Sequence, residues 1–148
     1  MSIKKRVLIA GGFDPIHRGH LDHIVKAKAL GDWLIVIIPP DDVLVEKKGY
    51  CLIPATDRLE VLYALPWVDE VHIAEHTNGS PLQSLRELKP DIYAKGGDRT
   101  PDNMVQVEIN VCEEIGCQIV YGVGDLLGSS TRMFNNAVKQ FLDSRKVK

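Results

Sequence analysis

The sequence predicts an α/β fold, a doubly wound parallel sheet of about five strands with helices on both faces, on three observations. Apolar runs of strand length alternate with segments of helical period. One of those runs, Trp33 to Pro39, is apolar almost without interruption, as a strand buried on both faces must be. The 148 residues, 45% of them hydrophobic, suffice for one sizeable core, so residues 1–148 are expected to form a single domain.

The elements follow in order. Arg6 to Ala10 is the first strand, rich in large aliphatic residues, and Gly11-Gly12 turns the chain out of it. A helix opens near Gly19 or His20 and runs to Leu30, with Gly31 as the residue that ends it. Trp33 to Pro39 is the second strand, and a loop carrying Lys47, Lys48 and Gly49 follows. Thr56 caps a helix to Ala64, with Leu59, Leu62 and Tyr63 at helical spacing and Pro66 stopping it. Glu70 to Ala74 is the third strand, and Asn78-Gly79 leads to Ser80-Pro81-Leu82-Gln83, a capping box that starts a helix reaching Leu88. Asp91 to Lys95 is the fourth strand. Thr100-Pro101 or Asp102 opens a helix that Gly116 terminates, Gln118 to Tyr121 is the fifth strand, and Ser129 or Ser130 caps a last helix to about Ser144. This is a Rossmann-like plan.

Composition narrows the function. A formal charge of −2 and a pI near 6.2 give no global basic field, which argues against a nucleic-acid partner and makes any anion site local. The basic start Met1 to Arg6 leads into too short an apolar stretch for a signal peptide, and no apolar run is long enough to span a bilayer. The expectation is therefore a soluble cytoplasmic protein with no membrane partner. Cys51, Cys112 and Cys117 form no C-x-x-C pair and are read as reduced thiols rather than a disulfide framework or a zinc site.

In open parallel sheets ligands bind beyond the carboxyl ends of the strands. Four loops fall there: Gly11 to His20, Lys47 to Gly49, Gly96 to Asp98 and Ser129 to Arg132. The first, Gly-Gly-Phe-Asp-Pro-Ile-His-Arg-Gly-His, sets His17 and His20 three positions apart at a helix opening, with Gly19 between them to allow close approach. A buried strand, a glycine turn and a helix N-terminus together make a phosphate-handling site. Gly122 to Gly128 looks like a dinucleotide fingerprint, but its spacing is one residue too long and no second strand follows, so an NAD-linked oxidoreductase is excluded.

Taken together, Gly12-Phe13-Asp14-x-x-His17-x-Gly19-His20, Lys48-Gly49, Lys95-Gly96-Gly97-Asp98 and Ser129-Ser130-Thr131 resemble the nucleotidylyltransferase superfamily marked by the His-x-Gly-His motif. Within it the chain looks most like the adenylyltransferase domain acting on heptose 1-phosphate, and next like the glycerol-3-phosphate cytidylyltransferases. Asp14-Pro15-Ile16-His17 is wording also typical of mononucleotide adenylyltransferases. The resemblance implies an enzyme in which a substrate phosphate attacks the α-phosphorus of a nucleoside triphosphate, with pyrophosphate leaving. The leading expectation is transfer of AMP from ATP to a sugar phosphate. The alternatives are cytidylyl transfer to glycerol 3-phosphate, adenylyl transfer to NMN, NaMN or FMN, and a nucleotide-binding regulatory domain without turnover.

The same resemblance implies roles for individual residues. His17 and His20 would meet the α- and β-phosphates, aided by backbone at Gly11, Gly12, Phe13 and Gly19. Lys48, with Lys47, would supply cations, and Gly96 and Asp98 would take part in nucleotide binding. Asp14 either braces its loop or acts through Mg²⁺. Ser129, Ser130 and Thr131 are an N-cap cluster whose amides and hydroxyls can also hold phosphates, with Arg132 adding charge. Arg58 either meets a phosphate or pairs with Asp57 or Glu60. Asp22 and His23 stand where apolar residues are usual and suggest an unusual neighbour or a subunit contact. The expected partners are ATP or CTP with Mg²⁺, a phosphorylated small molecule and a second copy in a homodimer. No metal held by protein ligands is expected.

Overall fold

The computed structural model describes residues 3–74 and 80–146. Asn78 and Gly79 lie outside the described residues. Five strands form one parallel sheet: β1 (Arg6–Ala10), β2 (Trp33–Ile38), β3 (Glu70–Ile73), β4 (Ile92–Ala94) and β5 (Gln118–Val120), in the order β3-β2-β1-β4-β5. The order reverses at β1, so the crevice lies between β1 and β4. Among the described residues six helices accompany them, the last following β5: α1 (Arg18–Lys28), α2 (Asp41–Lys48), α3 (Ala55–Tyr63), α4 (Leu82–Leu88), α5 (Gln106–Ile115) and α6 (Ser130–Lys146).

Strand residues alternate between the two faces, and each face has its own core. Val7, Ile9, Leu34, Val36 and Ile38 pack with Ile24 and Ala27 of α1 and Leu62 of α3. Leu8, Ile35, Ile37 and Tyr93 pack with Leu85 of α4 and with Val111 and Cys112 of α5. The near-continuous apolarity of β2 is thus used on both sides. α6 is different: none of its residues is buried. Cys51, Cys112 and Cys117 are free thiols. Among the described residues no helix is long and apolar enough to cross a membrane.

The structure corrects several local expectations. The segment expected as a loop after β2 is helix α2, which has Asp41 and Asp42 in its first turn, Lys47 and Lys48 in its last and Gly49 at φ 88° as its left-handed cap. Residues 100–103 form a turn rather than the start of a helix, because the Asn103 side chain accepts from the Thr100 amide and donates to the Asp98 carbonyl, and α5 begins only at Gln106. The cap of α3 is Pro54 rather than Thr56. Ser80 accepts from the Leu82 amide, but Gln83 bonds Glu87 and does not reach back, so no reciprocal box forms there. A reciprocal box forms at α1 instead.

Candidate active site

Helix α1 begins at Arg18, one residue before Gly19. His17 is its N-cap: its Nδ1 accepts from the Gly19 amide at 3.0 Å, while Nδ1 of His20 accepts from the His17 amide at 3.2 Å. Two imidazoles thus do the work that Ser and Glu do in an ordinary capping box. With each Nδ1 accepting, each neutral ring carries its proton on Nε2, and both rings line the cleft as donors. Burial lowers the pKa of His17, and burial followed by His17, His23 and Lys48 pushes His20 down to about 3. The rings stack at 3.8 Å, and Phe13 packs on His20 at 4.7 Å. Phe13 itself takes a φ of 50°, a strained value for a side-chain-bearing residue, held by its burial. Gly19 is required by packing, since a Cβ there would meet the His17 ring at 2.9 Å and the Gly128 nitrogen at 3.2 Å.

Asp14 is buried, and its carboxylate accepts from the Leu52 and Ile53 amides at 3.0 and 2.7 Å and pairs with Lys48 Nζ at 3.3 Å. Of its two expected roles, the structure displays the loop brace. Lys48 lies over the Tyr50 ring, 4.7 Å from its centroid. Arg58 is not brought to the cleft. It is 1% exposed and donates to the carbonyls of Ile53 and Gly12 and to Asp41, so it pairs with neither Asp57 nor Glu60. Its buried guanidinium ties the β1 loop to the chain around α2 and α3.

These elements enclose an open cleft of about 650 Å³. Gly11, Gly12, Phe13, Asp14, His17, Gly19 and His20 line it, with Lys47 and Lys48 from α2, Gly96 and Asp98 after β4, and Ser129, Ser130 and Thr131 at α6. The Ser130 hydroxyl donates to the Pro15 carbonyl at 2.8 Å, which ties the start of α6 to the histidine loop. Arg132 is exposed and does not line the cleft. Its amide donates to the Ser129 hydroxyl. Among the described residues no set of three or more His, Cys, Asp or Glu side chains converges as metal ligands.

The sequence profile of the cytidylyltransferase-like family matches residues 8–139, which contain every one of these cleft residues. The chain belongs to the cytidylyltransferase-like family. It is therefore a nucleotidyltransferase by family, as its motifs imply. An FAD synthase of Pyrococcus abyssi is 45% identical over 98 residues, 66% of this chain and 66% of its own length. Thus the chain spans about two thirds of that relative. An FAD synthase of Thermococcus sibiricus is 33% identical over 144 residues, covering 95% of this chain and 97% of its own. The bifunctional protein HldE of Pelobacter propionicus is 39% identical over 108 residues, 71% of this chain but 22% of its own length.

Two parts of this cytidylyltransferase-like cleft escaped the sequence reading. The segment from Gly122 to Gly128, dismissed as a dinucleotide motif, crosses the opening of α1. Asp22 accepts from the Asp125 amide, His23 bonds the Val123 carbonyl at 2.5 Å, and Arg18 donates to the Leu127 carbonyl. The odd neighbours of Asp22 and His23 are therefore in this same chain. The second part is Tyr93 and Glu108, which line the end of the cleft beside β4 together with Lys95, a motif residue to which the sequence assigned no role. Glu108 shares a helical face with Val111 and Cys112, and a carboxylate on an apolar face was the available signal.

Proposed function

We propose that the protein is an FMN adenylyltransferase, transferring AMP from ATP to the phosphate of FMN with release of pyrophosphate. The similarity to FAD synthases carries this reading, because it reaches 45% identity in one case against 39% for HldE and, in another at 33%, extends over nearly both whole chains. It displaces the sugar phosphate as the leading acceptor. In the reaction a phosphate oxygen of FMN bonds the α-phosphorus of ATP, and the bond from that phosphorus to the bridging oxygen breaks, its electron pair leaving with pyrophosphate. No covalent bond to the protein is needed.

The cleft supports such chemistry through donors. His17 and His20 offer neutral Nε2 hydrogens to the α- and β-phosphate oxygens without first losing or gaining a proton. Lys47 and Lys48 add positive charge, Gly12 and Phe13 bring backbone close, and the start of α6 at Ser129, Ser130 and Thr131 directs its amides at the distal phosphates. Asp14 keeps the loop in shape and Arg58 supports it from behind. Mg²⁺, when carried in by the triphosphate, would neutralise charge on the leaving group. The Asp14 carboxylate, already taken by the Leu52 and Ile53 amides, fits an ion held mainly by the nucleotide. In this reading the enzyme is a cytoplasmic homodimer, and light scattering tests the dimer.

The test is a pyrophosphate-release screen crossing ATP and CTP with FMN, sugar 1-phosphates, glycerol 3-phosphate and nicotinate mononucleotide. ATP with FMN is expected to give FAD. Turnover with a sugar 1-phosphate and not FMN would instead support the second reading, a sugar-phosphate adenylyltransferase, which the HldE similarity favours.

A further inference from the structure

At the β4 end of the cleft lies a polar network that the His-x-Gly-His loop does not explain. The buried Tyr93 hydroxyl donates to Glu108 Oε1 at 2.5 Å and accepts from Lys95 Nζ at 3.0 Å, while Lys95 Nζ stands 3.8 Å from the same Glu108 oxygen. The side chains of Lys95 and Glu108 are only 15% and 12% exposed, and all three residues line the cleft. The phenol acts as a spacer. It satisfies the carboxylate, takes one of the ammonium's three hydrogens and keeps the two charges from direct contact. Among the described residues the other two ammonium hydrogens have no hydrogen-bond acceptor.

Lys95 follows β4, the neighbour of β1, and so faces the crevice from the side opposite the histidine loop. Glu108 supplies a counter-charge at 3.8 Å, and the remaining ammonium hydrogens are left to meet an anion in the cleft. We propose that Tyr93 and Glu108 are positioning residues that hold the Lys95 ammonium toward the cleft, where it takes a phosphate oxyanion of a substrate. This rests on the nucleotidyl-transfer reading, and it adds to it a cation and its support. The charges around Lys95 act in both directions. Burial lowers its pKa and so does Arg99, whereas Glu108, Asp98 and Cys112 raise it, and on α1 its charge is felt by His23. Glu108 is the leading influence keeping the ammonium charged.

The oxyanion belongs either to the triphosphate or to the acceptor, and two titrations distinguish them. Inorganic pyrophosphate and FMN are each titrated calorimetrically into wild type, Lys95→Met, Glu108→Gln and Tyr93→Phe. Lys95→Met is expected to weaken one of the two ligands roughly tenfold or more, and the two positioning variants to weaken the same ligand and lower kcat/KM about 10- to 100-fold. In Glu108→Gln the alkaline limb of kcat/KM is expected to move down by about one pH unit or more, because the ammonium loses its counter-charge and deprotonates earlier. The position of that limb does not depend on how much of the variant is folded. Binding within about twofold of wild type in both titrations, with an unmoved limb, overturns the proposal. If wild type binds no FMN, the FMN reading fails, and the pyrophosphate titration with the three variants decides the positioning role by itself.

Discussion

His20 couples the geometry of the cleft to the stability of the fold. Folded His20 stays neutral down to about pH 3, because burial and the nearby His17, His23 and Lys48 oppose its protonation, whereas in the unfolded chain it titrates near 6.5. Between those values the unfolded state binds more protons than the folded one, so stability rises with pH through the window and is lost as pH falls. From about pH 7.5 to about pH 5, a ring that remains neutral in the fold and charges on unfolding removes about 2 kcal/mol. Carboxylates contribute little in that range, since they titrate lower even when unfolded. The informative variant is His20→Gln. Glutamine is the usual third residue of a capping box, so it retains a partner for the His17 amide, yet it does not titrate. Urea unfolding followed by circular dichroism at both pH values should show wild type losing about 2 kcal/mol more than the variant on acidification. The His17 and His23 contributions, which have the same sign, remain in both proteins and cancel in the comparison. Equal losses in the two proteins would refute the buried, neutral state of His20.

Other substitutions probe the rest of the site. His17→Ala and His20→Ala should each lower kcat about 10²- to 10³-fold with much less effect on ATP binding measured calorimetrically, because the lost donors act chiefly on charge that develops during transfer. Arg58→Met should cost about 3 kcal/mol or more in urea unfolding, since it leaves the Gly12 and Ile53 carbonyls unpaired beneath the loop. Gly19→Ala should leave the far-ultraviolet spectrum intact yet reduce kcat about 10²-fold, as the new Cβ displaces the His17 ring or the Gly128 loop. Tyr50→Phe should leave the melting temperature unchanged or raise it: the buried Tyr50 hydroxyl has no hydrogen-bond partner among the described residues, while its stacking on Phe134 at 3.8 Å is kept.

What could be read in the sequence follows from how local each signal is. The five strands were legible because a central parallel strand must be apolar on both faces, and Trp33 to Ile38 states this without long-range information. The convergence of His17, Lys48, Asp98 and Ser129 followed from topology, since all lie beyond carboxyl ends of strands. Helix α2 was hidden because Pro39 and Pro40 read as loop punctuation, and only Val43 and Leu44 of its eight residues are buried. Its acidic first turn, basic last turn and Gly49 cap were nonetheless a usable helix pattern. Arg58 was misjudged for another reason: its three acceptors come from Gly12, Asp41 and Ile53, and the tertiary contact with Gly12 spans 46 residues of sequence.

The capping box explains why two histidines and a glycine occur together at this turn. A helix N-terminus that is to receive phosphate must satisfy some of its own amides without blocking the ligand. Ser or Glu would do so with acceptor oxygens, and a glutamate would also bring a negative charge that repels phosphate. An imidazole divides the task within one ring: Nδ1 accepts the backbone hydrogen, and Nε2, on the other side of the ring, remains a donor. The stacking of His17 on His20 then strengthens the arrangement, because burial and, after it, the neighbouring His17 oppose protonation of His20. Capping, tautomer and neutrality are thus consequences of a single local geometry. That geometry leaves the two Nε2 donors in place before any phosphate arrives, which is the condition for their acting on the transition state without reorganisation.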